Sequence, residues 1–206
     1  MPATAAELVQ GMGLLPARGE PPPPTNVCDA ARESLFGDVY AEPTRWRELS
    51  FSTLFTEGWN DPWASPVAGA GGAPRQGWLN ASDGVFYRLV VGTFNFAEDL
   101  GDRGNGYSAG ATLYTPLSRR FELRWDVPFF VSNRLAGDRN TTWGDFQVTP
   151  RVMISETEAV SQSFNLTFRT PTGDPDTGTR VAAVAPSYEV WANWWRGLVV
   201  RAHSRR

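Results

Sequence analysis

The sequence contains few of the residues on which catalytic and metal sites usually depend. Its 206 residues include one cysteine and one histidine, so Cys28 has neither an internal disulfide partner nor the spaced ligands of a zinc site. His203 has no recognisable nucleophile arrangement around it, and no two carboxylates are singled out as a glycosidase pair. We therefore expect no enzyme, no metal and no cofactor.

Lysine and long apolar runs are also missing. All 19 basic residues are arginine and the net charge is −3, which gives no general electrostatic reason to bind nucleic acid. The chain has no apolar run long enough for a transmembrane helix, and residues 1–20 lack the basic start and apolar core of a signal peptide. A mean hydropathy of −0.33 argues against a helical membrane protein but not against a membrane barrel, whose strands are only half apolar.

Composition divides the chain into three parts. Residues 1–45 contain four consecutive prolines, which favour an extended and largely disordered segment, apart from a short helix predicted over residues 29–36 with Asp29 as its cap. Residues 46–83 form an amphipathic lead-in, compatible with a helix or a strand, and a glycine-rich loop. Residues 84–206 have the alternation typical of strands.

The segment Phe121–Val131 gives the clearest strand signal. Its odd positions are all large and apolar, whereas three of the five even positions, Glu122, Arg124 and Asp126, are charged. Such a period of two is a strand signal. A strand of this length, tilted by about 40°, would rise roughly 28 Å, close to the ~25 Å apolar band of an outer-membrane barrel. Further strands are predicted at residues 84–96, 107–117, 145–155, 162–170, 181–191 and 198–202.

The predicted connections alternate in length, which favours a meander barrel with short turns at one end and long loops at the other. The long ones, rich in Gly, Asp and Asn, are residues 97–106, 132–144 and 172–180, and the short ones are residues 118–120, 156–161 and 192–197. Pro128, Pro150 and Pro186 lie inside predicted strands and each removes one ladder hydrogen bond. We expect these prolines to mark bulges.

These patterns predict an all-β fold, namely an antiparallel meander β-barrel of the outer-membrane type. Six to seven strands are fewer than the ~8 of the smallest such barrels, so we expect an incomplete barrel in a chain that is a piece of a longer protein. Because a period of two fits any half-buried sheet, a soluble or surface β-sandwich that binds a ligand through its Gly and Asp loops remains an alternative.

The charged strand faces identify candidate functional residues. In a membrane barrel these charges would face the lumen, since an Arg on the lipid side near the midplane costs roughly 2–4 kcal/mol; in a sandwich they would form a solvated surface with salt bridges. The predicted lumen-facing residues are Arg120, Glu122, Arg124, Asp126, Asp145, Arg151, Arg169 and Glu189. Aromatic girdles are predicted at Trp143 and at Trp191, Trp194 and Trp195, and Trp125 is predicted to face lipid or core.

Several ordered segments are similar to one protein family. The segments YSAGATLYTPLSRRFELRWDVPF, WGDFQVTPRVMISET, SFNLTFRTPTGDPDTG and PSYEVWANWWRGLVVR resemble bacterial outer-membrane β-barrel proteins of the transporter family associated with the meta-pathway of phenol degradation. The resemblance covers about residues 84–202. It implies an antiparallel barrel in the outer membrane, with the lipid bilayer and a small-molecule solute, aromatic solutes among them, as partners. It carries over no catalytic residue, and the final residues, HSRR, depart from the aromatic end usual in such barrels.

Overall fold

The structure, a computed structural model, describes residues 26–39, 46–65, 85–98, 105–135, 138–174, 180–194 and 198–203. Within this part the chain forms one α-helix, α1 (Val27–Phe36), and a single antiparallel sheet of eight strands. The strands are β1 (Leu89–Ala97), β2 (Gly106–Pro116), β3 (Phe121–Leu135), β4 (Asp138–Thr142), β5 (Gln147–Glu156), β6 (Val160–Arg169), β7 (Ala183–Trp194) and β8 (Leu198–His203). The all-β prediction is confirmed.

The sheet is a meander in which strands pair in chain order. Its path runs β1-β2-β3-β5-β6-β7-β8, and β4 pairs with β3 at the side of this path. Over the described residues β1 and β8 do not pair with each other, so the sheet is not closed and the barrel stays a prediction. The predicted loop 132–144 is wrong in part, because β3 continues to Leu135 and β4 folds back on it, from Val131 opposite Thr142 to Leu135 opposite Asp138.

The register separates the sheet into two faces of opposite character. One row across β2, β3, β5 and β6 consists of Thr112, Asp126, Gln147 and Arg169, and the side of the sheet that carries it is called the polar face. The neighbouring row across β2, β3, β5, β6 and β7 consists of Leu113, Trp125, Val148, Phe168 and Val184, and its side is called the apolar face. These rows lie on opposite sides because successive residues of a strand point to opposite faces.

A bulge interrupts the alternation of β3. Pro128 lies opposite Gly110 while Phe130 lies opposite Ala109, so Phe129 is the extra residue of a β-bulge. The bulge reverses the faces beyond it, and Val131, predicted on the apolar face, lines a cavity on the polar side. The bulge prediction is therefore confirmed at Pro128. It is wrong at the other two prolines, since Pro150 lies opposite Leu123 and Pro186 opposite Leu166 without a shift of register.

The segments that precede β1 pack against the polar face. Helix α1 begins after Asn26, whose side-chain oxygen accepts the backbone N–H of Asp29 at 2.9 Å, so the prediction of Asp29 as the cap is wrong. Residues 46–65 form neither a long helix nor a strand, only a 3₁₀ turn at Phe51–Thr53 and one bridge between Leu49 and Glu156. A buried core of Val39, Leu49, Trp63, Phe86 and Met153 joins these segments to the sheet.

The tight approach of β2 to β3 beside the bulge depends on Gly110. A Cβ at Gly110 would lie 2.8 Å from the carbonyl oxygen of Val127, whereas a Cβ at Gly92 in β1 would meet nothing within 4 Å. We expect Gly110→Ala to lower the free energy of unfolding by about 1–3 kcal/mol because the clash is with backbone. The matched Gly92→Ala should be neutral or stabilise by up to ~1 kcal/mol. Urea unfolding followed by circular dichroism measures both, and equal stabilities would contradict the prediction.

Candidate functional site

The polar face is covered over part of its area by the segments before β1. Residues 26–39, 46–65 and 85–88 are together called the N-terminal cover. Backbone hydrogen bonds join it to the sheet at the short turns: Leu49 and Glu156 exchange two bonds of 2.8 Å, and the Arg119 N–H donates to the Asp61 carbonyl at 3.0 Å. The cover therefore lies at the end of the sheet where the β2–β3 and β5–β6 turns lie.

Arg120, one of the predicted lumen-facing residues, is fully buried under this cover. Its five guanidinium N–H groups make five hydrogen bonds of 2.8 to 3.1 Å, which is the full donor capacity of an arginine. The acceptors are the carbonyl oxygens of Ser50, Glu57, Met153 and Ile154 and the hydroxyl of Thr53. Because these acceptors belong to both the cover and β5, Arg120 joins the two. Gly58, with φ of 84°, allows the cover to pass close to the Arg120 side chain.

A buried ion pair between Arg119 and Glu156 lies beside Arg120 and was not singled out from the sequence. The Arg119 guanidinium donates to the Glu156 carboxylate at 2.8 Å and to the Arg47 carbonyl at 2.5 Å. The Trp46 indole N–H donates to the same carboxylate at 3.0 Å. Burial lowers the pKa of both Arg119 and Arg120 from the ordinary arginine value. The only sequence signal was the adjacent Arg-Arg pair at the start of the strongest predicted strand.

Three other candidate residues form a buried cluster on the polar face. The Arg151 guanidinium pairs with the Glu122 carboxylate and lies 3.8 Å from the Glu189 carboxylate, and all three side chains are at most 3% exposed. Arg151 also donates to the Asn165 amide oxygen at 3.1 Å, and the Tyr87 backbone N–H donates to Glu122 at 2.7 Å. Residues 85–88 of the cover thus seal this cluster from solvent.

The remaining four candidates form two ion pairs outside the cover. Arg124 donates to Asp126 at 2.9 Å, and Arg169 donates to Asp145 at 2.8 Å. The Asp145 carboxylate is buried and also accepts the backbone N–H groups of Gly173 at 2.8 Å and Val181 at 2.7 Å. Burial alone would raise the pKa of Asp145, but these hydrogen bonds and the Arg169 charge hold its pKa below the ordinary value.

A cavity of about 250 Å³ lies beside these two ion pairs. It is an open cavity lined by residues of β1, β2, β3, β5 and β6 and by the connection before β5, and no residue of the N-terminal cover lines it. Polar groups of the strands, among them Thr112, Asp126, Gln147 and Arg169, form one wall, while Pro128 and Val131 contribute apolar atoms. The polar face thus has a covered end and an open end.

The tryptophans only partly follow the girdle prediction. Trp143 is 64% exposed, but Trp191 is buried at 2% exposure on the polar face, so its assignment to a girdle is wrong. The reason is that β7 extends beyond its predicted end, to Trp194, and carries Trp191 opposite the buried Ser161. The Trp194 side chain and Trp195 lie outside the described residues. Trp125 lies on the apolar face, with its indole N–H donating to Thr115 at 2.9 Å.

Two further features are missing from the part of the chain that the structure describes. No three His, Cys, Asp or Glu side chains come together there as a possible metal site. No helix within those residues is long and apolar enough to cross a membrane. Comparison with family models, curated proteins and solved structures found no match, so the family resemblance stays a prediction from the sequence.

Loss of the Arg120 side chain should release the N-terminal cover. We expect Arg120→Ala to lower the free energy of unfolding by about 3–5 kcal/mol, because several buried carbonyl groups lose their donor at once. Arg120→Lys should restore only part of this, since an ammonium cannot reproduce the planar fork. Arg47→Ala, which removes a partly exposed pair with Asp61, is the control and should cost at most ~1 kcal/mol.

Limited proteolysis distinguishes release of the cover from general unfolding. In Arg120→Ala we expect new cleavage within residues 46–65 while the strands β2 to β6 stay protected. Protection equal to that of the wild type would contradict the assignment of Arg120 as the residue that joins cover and sheet.

The lowered pKa of Asp145 predicts that the stability of the fold falls as the pH is lowered in the acid range. A carboxylate whose pKa is lower in the folded than in the unfolded chain stabilises the fold above its unfolded pKa of about 3.9, and the contribution is lost as the pH falls through the folded pKa. Between pH 4 and pH 2 the wild type should therefore lose more stability than Asp145→Asn. Thermal unfolding of both proteins across this range measures the difference, and parallel pH profiles would contradict the prediction.

Proposed function

We propose that the chain forms part of an outer-membrane β-barrel that passes small molecules, aromatic ones among them, across the outer membrane. The observation that carries the proposal is the exposure of the apolar face. Val184 is 63% exposed, Phe164 42% and Phe168 40%, all on one face of one sheet. The buried core lies on the opposite, polar face. A soluble sheet buries its apolar face, whereas the outer surface of a membrane barrel presents that face to lipid.

The charged residues support the same orientation. Glu122, Arg151 and Glu189 lie on the polar face, together with the pair Arg124 and Asp126. In the proposed barrel this face lines the lumen, so these five charged side chains are kept away from hydrocarbon. The reverse orientation would cost roughly 2–4 kcal/mol for each arginine placed near the midplane on the lipid side.

The N-terminal cover gives the proposed lumen one closed end. It packs on the polar face at the short turns and is held there by Arg119 and Arg120, while the cavity lies on the part that it leaves open. A solute would enter the cavity from the loop end. Passage through the barrel therefore requires the cover to move.

A barrel also requires that both outer strands be paired. β1 and β8 are the edges of the described sheet, and unpaired backbone groups are not tolerated within the hydrocarbon region. We include in the proposal that further strands, from a longer chain or from a second copy, pair with these edges. The soluble β-sandwich would instead require a second sheet over the apolar face, and no specific observation favours it.

Membrane placement is tested with nitroxide labels on neighbouring residues of β6 and β7. In a Cys28→Ser background, labels are attached to Phe168→Cys and Val184→Cys on the apolar face and to Thr167→Cys and Ala185→Cys on the polar face; Phe168 pairs with Val184, and Thr167 with Ala185. In liposomes we expect the first two labels to be relaxed mainly by oxygen, which concentrates in lipid. The other two should be relaxed mainly by a water-soluble nickel complex.

The same labels test the alternative of a soluble β-sandwich, and a measurement of solute flux tests transport. A protein that stays in solution without detergent, with labels at Phe168 and Val184 protected from both relaxing agents, would favour the sandwich. If the labels indicate lipid contact, flux of small solutes into liposomes containing the protein is measured. Absence of flux in the wild type and in Arg120→Ala would then retain the membrane barrel and reject the transport function.

A further inference from the structure

The open part of the polar face carries hydrogen-bonding groups that no other described residue uses as a partner. We infer that the cavity of about 250 Å³ binds a small uncharged molecule with several hydroxyl groups, of the size of a single sugar ring. This inference rests on the proposed passage of small molecules and names the class of solute. It is carried by three side chains that the register brings into one row.

The row runs across three neighbouring strands. Asp126 of β3 lies opposite Gln147 of β5, and Gln147 lies opposite Arg169 of β6. Neighbouring strands are about 4.8 Å apart, so the backbones of Asp126 and Arg169 are roughly 10 Å apart with Gln147 between them. All three residues line the cavity. A ligand of one ring can therefore contact all three at once.

Each of these three side chains has hydrogen-bonding atoms that no other described residue uses as a partner. Asp126 accepts Thr112 and Arg124 through Oδ1 only, which leaves Oδ2 as an acceptor. Arg169 donates through Nε to Asp145, which leaves its two terminal NH₂ groups as donors. The Gln147 amide, a donor and an acceptor, has no side-chain partner within the described part of the chain. A hydroxyl group both donates and accepts, so hydroxyl groups of a ligand can pair with the carboxylate, the guanidinium and the amide alike.

The charges favour a neutral ligand. Asp126 is paired with Arg124, and Arg169 with Asp145, so the two pairs leave no net charge beside the cavity. A charged solute would lose hydration without gaining an unpaired counter-charge, and such desolvation is costly. Pro128 and Val131, which also line the cavity, offer apolar contact to the C–H faces of a ring.

Three probes of one carbon skeleton test the charge argument. Binding of glucose, glucuronate and glucosamine to the purified full chain in detergent is measured by isothermal titration calorimetry and by saturation-transfer NMR. We expect glucose to bind at least about tenfold more tightly than either charged analogue. Binding of glucuronate or of glucosamine as tight as that of glucose, or tighter, would overturn the inference of a neutral ligand, and absence of saturable binding of all three would overturn the site.

Matched variants locate the binding. Gln147→Leu removes the central amide and should weaken glucose binding about tenfold. Gln162→Leu makes the same change on β6 outside the cavity, where Gln162 accepts the Tyr188 hydroxyl, and should leave the affinity unchanged. Thr93→Trp fills the cavity from β1 and should abolish binding, so it serves as the test if Gln147→Leu does not fold. Equal losses in Gln147→Leu and Gln162→Leu, or unaltered binding to Thr93→Trp, would overturn the assignment.

These experiments test the binding site and the proposed passage independently, so either can be rejected without the other. Binding is measured in detergent, where no solute crosses a membrane, so saturable glucose binding without flux in liposomes retains the site and rejects passage. Flux without saturable binding retains passage and overturns the site.

Discussion

The hydrogen bonding of Arg120 is the interaction on which the arrangement of the molecule depends. Its guanidinium reaches the carbonyls of Met153 and Ile154 on β5 and the groups of Ser50 and Thr53 in the cover. Burying a cation is costly, and the five hydrogen bonds of Arg120 offset much of that cost. The cover and the sheet therefore have to be ordered together, and the planar fork of arginine suits a site that needs five fixed donors.

Burial of this charge also explains why the apolar core lies on the polar face. The cover brings Leu49, Trp63 and Phe86 against the sheet, and these side chains fill the space around the paired charges. Arg151, for example, lies 5.4 Å from the centre of the Phe86 ring. The large apolar side chains of the strands are then left on the outside of the sheet. A bilayer is the surrounding that suits such an arrangement, which is the basis of the proposed barrel.

Sequence reasoning predicted the strands well and the cover poorly, for physical reasons. The strands β2, β3, β5, β6 and β7 were predicted within a few residues because one face of each is apolar and the other polar, whereas β4 lies in a segment predicted as a loop. The cover makes its decisive contacts through backbone carbonyls such as those of Ser50 and Glu57, and a backbone acceptor leaves no signal in side-chain pattern. The bulge at Phe129 was foreseen only as a consequence of Pro128, and its effect on the face of Val131 was not.

The sequence identified the candidate residues better than it predicted their roles. The even positions of β3 predicted Glu122, Arg124 and Asp126 on one face, and the register places them there. The sequence could not indicate which charges are covered, because that depends on where the cover ends. Arg120 was predicted only as a lumen-facing residue, and the sequence did not indicate that its buried guanidinium binds groups more than 60 residues away in sequence.

The two ends of the polar face differ in what a solute would meet during the proposed passage. At the short turns, the cover is held by buried charges whose hydrogen bonds must be broken together. At the loop end, Asp145 accepts the N–H groups of Gly173 and Val181, which holds these two residues beside the cavity. A solute in the cavity would touch the Asp126 to Arg169 row and not the cover. Binding would therefore not by itself open the closed end, and movement of the cover would be the slower step of passage.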